Sequence, residues 1–403
     1  MGYAVIGFRE LIGFFQLVLC GSNSEARFAS MVAELRPWQL LLVTTLGGLL
    51  IGLFVHYVMP GRRNHGVADV MEACVLRGGR MDVKAGLGAA LASAASIGVG
   101  ASVGREGPAV HIGASISAWM AERLYFNRNR SLTLVGCGVA VAASFNAPIA
   151  GVFFALEVVV GRYALKVFAP IVIASVAGTV VTRIYLGNIP AFMSVPDYFI
   201  VSFLEVPAFV LLGIACTAMA TIFMYSIFVV KNVVGKMPMP VWLRPALGGL
   251  IIGAIGLAYP HVLGVGYEAT DQALKEALPL GFMIALIAAK TAATAIALGC
   301  GFAGGVFSPS LFLGAMTGGA FGIIAATVFP ELSSSHGAYT IMGMAGVTAA
   351  VLGAPISTIL IMFELTSNCE LTIAVMIVVV IASMLTQQIT RESFFTCNLN
   401  DVA

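Results

Sequence analysis

Gly104-Arg105-Glu106-Gly107-Pro108-Ala109-Val110-His111-Ile112-Gly113-Ala114 sets two adjacent charges among Gly, Ala, Ser and Val. Ionisable side chains in apolar surroundings are costly, so a glutamate placed there is a functional candidate by default. Gly107 and Pro108 follow it at once. Proline is well accepted where a helix begins, because its missing N–H is not needed there. The stretch therefore predicts a helix N-terminus at Glu106, with unsatisfied N–H groups and the positive end of the helix dipole beside the carboxylate. A free anion is drawn to such a place for the same reason.

The surroundings are a membrane. Of 403 residues, 59% are hydrophobic and 10% charged, against about 25% charged in an average soluble domain. Mean hydropathy is +0.98. A net charge of +2 gives no basis for nucleic-acid binding. The seven cysteines are scattered through apolar runs without metal-ligand spacing, which suits small buried residues better than disulfides or a metal. The first twenty residues carry Arg9 and Glu10 and lack a clear small-residue cleavage site. They read as part of a helix with a shortened beginning rather than as a cleavable leader.

Apolar runs at 38–59 and 83–103 are long enough to span, with Trp38 and Tyr57 as interfacial anchors for the first. Those at 107–121, 132–143 and 147–160 are too short, at 1.5 Å per residue, to cross about 30 Å of hydrocarbon. They predict broken or half-spanning helices. Longer helices are expected at 165–186, 203–230, 243–259 and 280–299, then a second broken series at 308–328, 338–352, 355–366 and 371–389. Residues 21–36 and 260–271 read as polar connections.

The two series share a pattern. Gly104, Pro108 and Gly113-Ala114 return at identical spacing as Gly305, Pro309 and Gly314-Ala315. Gly136, Ala147-Pro148-Ile149 and Glu157 return as Gly343, Ala354-Pro355-Ile356 and Glu364, with twelve residues from Gly to Pro and nine from Pro to Glu in both. Two blocks in the same order make the chain two homologous halves, residues 1–190 and 191–403. The pattern alone leaves open whether they are parallel or inverted. Broken helices in matching places put a substrate site at the interface of the repeats, near the middle of the membrane.

Gly104-Arg-Glu-Gly-Pro108, Gly305-Val-Phe-Ser-Pro309 and Asn146-Ala-Pro-Ile-Ala-Gly151 together resemble the CLC family of chloride channels and proton–chloride exchangers, over nearly the whole chain. The resemblance implies an all-α polytopic membrane fold of two inverted-topology repeats. It also implies a homodimer with one anion pathway per subunit, and Glu106 as the gating glutamate. An anion beside that carboxylate favours its protonation, and a proton on it removes the repulsion, so the two are linked. In the family, Arg105 and Gly107 of the first motif and the backbone of Val306 and Phe307 in the second face the anion. Gly104, Pro108, Gly305 and Pro309 shape the two helix starts.

Three positions depart from the family pattern. The serine-bearing loop is replaced by Asn64-His65-Gly66-Val-Ala-Asp69, with His65 in the serine place. Either its imidazole donates to the anion and adds pH sensitivity, or it turns away and backbone N–H groups such as that of Gly66 remain. Val158 stands where the exchangers often carry an internal glutamate, and a valine holds no proton. Glu157 beside it has a twin in Glu364, which suggests a structural role in both halves. Phe395, or Phe394 one register away, replaces an anion-site tyrosine and loses its O–H. Lys290 reads either as a cation that raises anion occupancy or as a snorkelling lysine.

These residues imply chloride transport gated by Glu106, leaning to a channel or weakly proton-coupled pathway. The alternative is a proton-coupled antiporter, and an organic-anion transporter is the outsider. Chloride is favoured over fluoride because the first motif ends in Pro108 rather than threonine, with other small anions and protons as further traffic. No cofactor is expected, and the setting is a multi-pass bacterial inner membrane. Gly100-Ala-Ser102-Val-Gly104 matches a hydrolase nucleophile elbow, but no strand precedes it, so an enzyme is not expected.

Overall fold

The computed structural model describes residues 1–21, 27–124, 129–161, 165–187, 198–200, 203–330, 333–391 and 393–395. The division expected at 190/191 lies outside them. Among the described residues the chain is helical, with a single isolated antiparallel bridge and no strand. The first half holds α1 (Gly2–Cys20), α2 (Phe28–Glu34), α3 (Pro37–Tyr57), α4 (Val67–Leu76), α5 (Val83–Gly98), α6 (Glu106–Arg123) and α7 (Asn129–Phe145). It continues through α8 (Pro148–Phe154), a π-helical stretch Ala155–Val160, and α9 (Leu165–Leu186). The second half holds α10 (Val206–Gly235), α11 (Arg244–Ala258), α12 (Tyr267–Leu274), α13 (Leu280–Cys300), α14 (Phe307–Val328), α15 (His336–Leu352), α16 (Pro355–Thr366) and α17 (Cys369–Thr390).

Among the described residues, eight segments are long and apolar enough to cross a membrane: α1, α3, α9, α10, α11 with its preceding turn, α13, α14 and α17. The shorter apolar helices are α5, α7, α8, α15 and α16. Helix α15 is buried on every face from Gly337 to Leu352, as an apolar helix surrounded by protein must be. Trp38 and Tyr57 are exposed at opposite ends of α3, where interfacial anchors belong.

The repeat is visible in the packing. A side chain at Gly136 would meet the Gly113 carbonyl at 2.2 Å, and one at Gly343 would meet that of Gly314 at 2.4 Å. Thus α6 crosses α7, and α14 crosses α15, backbone against backbone at corresponding glycines. The matched glutamates reach across the halves. Glu157 accepts the Ile356 and Ser357 N–H groups at 3.0 and 2.7 Å and the Ser357 hydroxyl at 2.5 Å. Glu364 accepts the Ile149 and Ala150 N–H groups at 3.0 and 2.8 Å. Each half caps the other half's proline-led helix, the structural role that the twin positions suggested. Hydrogen bonds to a charged group are worth about 1.5–3 kcal/mol each. Glu157→Ala and Glu364→Ala are therefore each expected to cost about 3 kcal/mol or more, read as a lowered Tm of the protein in detergent. An unshifted Tm in both would mean that the caps add nothing to the fold.

Several expected elements differ, and two members of the second series expected to be broken, α14 and α17, run unbroken for 22 residues each and are long enough to span. The helix expected over 83–103 stops at Gly98, because Gly100 takes φ 91° and the Ala101 N–H returns to the Ser96 carbonyl, closing the helix end. The two expected connections are partly helical. Phe28, Ala29 and Val32 bury one face of α2, and Tyr267 opens α12. Ser30 on α2 hydrogen-bonds the Glu268 carboxylate on α12, which ties the two short helices together.

Candidate functional site

Gly104 and Gly305 bond to each other reciprocally, N–H to carbonyl, at 2.7 and 2.8 Å. This antiparallel pair sets the first turns of α6 and α14 facing one another. A side chain at either position would crowd the facing helix start. A side chain at Gly104 would lie 3.0 Å from Glu106 Oε2 and from the Ser308 N, and one at Gly305 would lie 3.2 Å from the Gly107 N. Pro108 and Pro309 occupy the third helical position rather than the first, still within the turn whose N–H groups have no acceptor in their own helix. Two positive helix ends therefore converge on one place.

The Glu106 side chain occupies that place and is 3% exposed. Ser308 Oγ donates to its Oε2 at 2.5 Å, and the Tyr267 hydroxyl donates to Oε1 at 3.3 Å. Arg105 Nε stands 3.8 Å from Oε1, while its guanidinium lies over the Tyr267 ring, 5.0 Å from the centroid. Val306 and Phe307 begin the opposing helix, and the Phe307 ring packs against Phe145 and Phe154 at 4.9 and 6.5 Å. One side of the site is thus charged and hydroxylated, and the other is an aromatic wall.

Lys290 does not take the snorkelling role. It is wholly buried, and its Nζ donates to the carbonyls of Val262 and Gly264 at 3.0 and 2.9 Å and of Val265 at 3.3 Å. The Phe312 ring lies 4.9 Å away. The lysine clamps the turn that delivers Tyr267 to Glu106.

The loop before α4 forms a neighbouring cluster. His65 Nδ1 lies 3.1 Å from Asp69 Oδ1, and its Nε2 lies 3.1 Å from the Pro60 carbonyl. The Gly66 N–H goes to Asp69 Oδ2 at 2.7 Å, and Arg63 pairs with Oδ1 at 2.7 Å. The His65 ring stacks on His111 of α6, centroids 5.6 Å apart. Helix α4 is too short to span. Burial pushes the Asp69 carboxyl up, but the His65 and Gly66 hydrogen bonds and the His65 and Arg63 charges outweigh it and hold it at about 2. The two groups expected to face an anion here, the His65 ring and the Gly66 N–H, already have partners within the chain.

The fold brings Arg105, Glu106, Gly107, Val306 and Phe307 together with Gly104, Pro108, Gly305 and Pro309. It sets His65 and Gly66 beside this group. Phe395 is buried in the main core against Phe394, which packs on Phe228 of α10. Ser102 of the elbow-like motif, in the turn between α5 and α6, shares a hydrogen bond with the Thr294 hydroxyl of α13 at 2.9 Å, and both residues are fully buried. Two contacts to Glu106 were not read from the sequence. Ser308 had a signal, since the motif register sets it opposite Gly107. Tyr267 had none.

A profile of the voltage-gated chloride channel family matches residues 47–387. The chain belongs to the CLC family. A putative chloride channel protein ClcB-like from Ralstonia nicotianae is 32% identical over 383 residues, covering 93% of this chain and 88% of its own. The voltage-gated ClC-type chloride channel ClcB of Escherichia coli is 31% identical over 406 residues, covering 98% and 94%. The crystal structure of a slow cyanobacterial Cl−/H+ antiporter superposes with a TM-score of 0.87 over 100% of this chain and 95% of that one, at 21% identity, a likeness of fold. CLC proteins are channels or transporters, so this multi-pass membrane protein is not an enzyme.

Proposed function

We propose that this CLC protein conducts chloride across a bacterial inner membrane, that Glu106 is its gate, and that permeation is uncoupled or only weakly coupled to protons. The two repeats, 1–190 and 191–403, would form one pathway in each subunit of a homodimer. The observation that carries the reading is the seat of Glu106. Its carboxylate lies between two helix N-termini, where an anion would itself be held, so the side chain and a chloride ion compete for one place. Once the carboxylate leaves, the Ser308 and Tyr267 hydroxyls remain as donors, and in this reading the N–H groups of Gly107, Val306 and Phe307 join them. Chloride as cargo follows the relatives named as chloride channels. Weak coupling is favoured by Val158, which is buried in the π-helical stretch and offers no atom that can carry a proton.

Reversal potentials of the purified protein in a planar bilayer test this, with chloride and proton gradients varied separately. The expected potential follows the chloride gradient and moves little with pH. A displacement in fixed proportion to the pH gradient would make the protein a proton-coupled antiporter, with an inner proton route away from residue 158.

A further inference from the structure

We propose that His65, Asp69 and His111 form a binding site for a divalent transition-metal ion of the zinc type, bridging the loop before α4 to α6. One ring nitrogen from each histidine and one carboxylate oxygen lie within 4.8 Å of one another. Zinc bonds of 2.0–2.1 Å in a tetrahedral site set ligand atoms about 3.3 Å apart, so closure asks for a movement of roughly 1.5 Å at the widest pair. Rotation of an imidazole about its side-chain torsions supplies that.

The hydrogen-bond accounting points to a cation. The Pro60 carbonyl can only accept, so His65 donates Nε2–H to it. Its Nδ1 faces the Asp69 carboxylate, 3.1 Å away, and fills that place with a proton in the charged ring or with a lone pair open to a metal ion in the neutral one. Two acceptors at that distance require a proton or a metal ion between them. A backbone carbonyl on the second ring nitrogen is also how metal-ligating histidines are oriented. His111 is 2% exposed, and its Nδ1 is buried without a hydrogen-bond partner. Such groups are rare in folded proteins and call for an ion or a water.

The donor set decides which metal. Two imidazoles and one carboxylate suit zinc, nickel or copper, whereas calcium and magnesium favour all-oxygen shells. Arg63 competes for Asp69 Oδ1 at 2.7 Å, but its side chain is 39% exposed and can swing into water. That competition predicts micromolar rather than nanomolar affinity. The bound ion would fasten α6, five residues beyond Glu106, to the loop before α4. Slowed transport in zinc would follow from this, a consequence that rests on the proposed function, whereas binding does not.

The test is direct titration of the full-length protein in detergent, after removal of any histidine tag. Zinc is followed by equilibrium dialysis and cobalt by its visible ligand-field bands. The expected result is one saturable equivalent per chain. Affinity should fall at least about tenfold in His111→Gln and in His65→Gln. It should not change in His56→Gln or in excess magnesium. Unchanged affinity in both His65→Gln and His111→Gln, or equal competition by magnesium, overturns the proposal. If His111→Gln fails to assemble, His65→Gln carries the same comparison, and zinc must raise the wild-type Tm in a way that EDTA reverses. Chloride flux enters none of these readouts, so an error in the gating reading would leave the result intact.

Discussion

Glu106→Gln is expected to conduct chloride at a rate that no longer follows pH, at or above the wild-type rate in neutral solution. The carboxylate is almost wholly removed from water and lies between the first turns of α6 and α14. An anion about 4 Å from it is repelled by about 4 kcal/mol at an effective dielectric of 20, roughly a thousandfold in occupancy. Protonation removes that term, which is why acid should open the wild-type pathway. Glutamine has the same shape without the charge, and its carbonyl can still accept from Ser308, so the substitution mimics the protonated state permanently. Glu106→Ala should give the same flat profile by emptying the seat. Flux assays in liposomes across neutral to mildly acidic pH check both. A pH dependence that survives Glu106→Gln would sink the assigned role, because no other change to this site removes the charge so cleanly.

Much of this site was legible because its parts are local. A glutamate followed by Gly107 and Pro108 names a helix start, and the second copy at Gly305 and Pro309 names its partner, since spacing survives where side chains diverge. The reciprocal pairing of Gly104 with Gly305 is the contact that such a repeat would make if its halves were inverted. The roles of Glu157 and Glu364 were likewise readable from their shared register. What stayed hidden depends on distance in the chain. Tyr267 reaches Glu106 across 161 residues of sequence, from a helix whose eight residues carry no long apolar period. Lys290 needed coordinates too, because a lysine inside an apolar run looks the same whether it snorkels or donates to three buried carbonyls. The His65 ring could not be aimed from sequence, since its partners Pro60 and Asp69 bracket it and either side was open. Short helices such as α2 fall below the length at which periodicity can be told from chance.

Ser308→Ala is expected to raise chloride flux at neutral pH by about tenfold or more, and to flatten its pH dependence. The Ser308 hydroxyl meets Glu106 Oε2 at 2.5 Å, within the short range typical of hydroxyl donors on a carboxylate. Such a bond is worth about 1.5–3 kcal/mol, and every 1.4 kcal/mol is a factor of ten in how often the carboxylate stays seated. Tyr267 donates from 3.3 Å, a long bond nearer 1 kcal/mol, so Tyr267→Phe should raise the flux only about fivefold. The order of the two effects is itself the prediction. Ser308→Thr keeps a hydroxyl at the same position and should stay close to the wild-type rate, which separates a lost latch from a disturbed helix start. In the register of the repeat, Ser308 stands opposite Gly107, so the latch has no counterpart in the first half. The second half holds the glutamate of the first, and in the proposed function the strength of the gate is a property of the contact between them. Superposable flux–pH curves for the wild type and Ser308→Ala would show that the hydroxyl only fills space, and the helix ends alone would then have to hold the carboxylate in place.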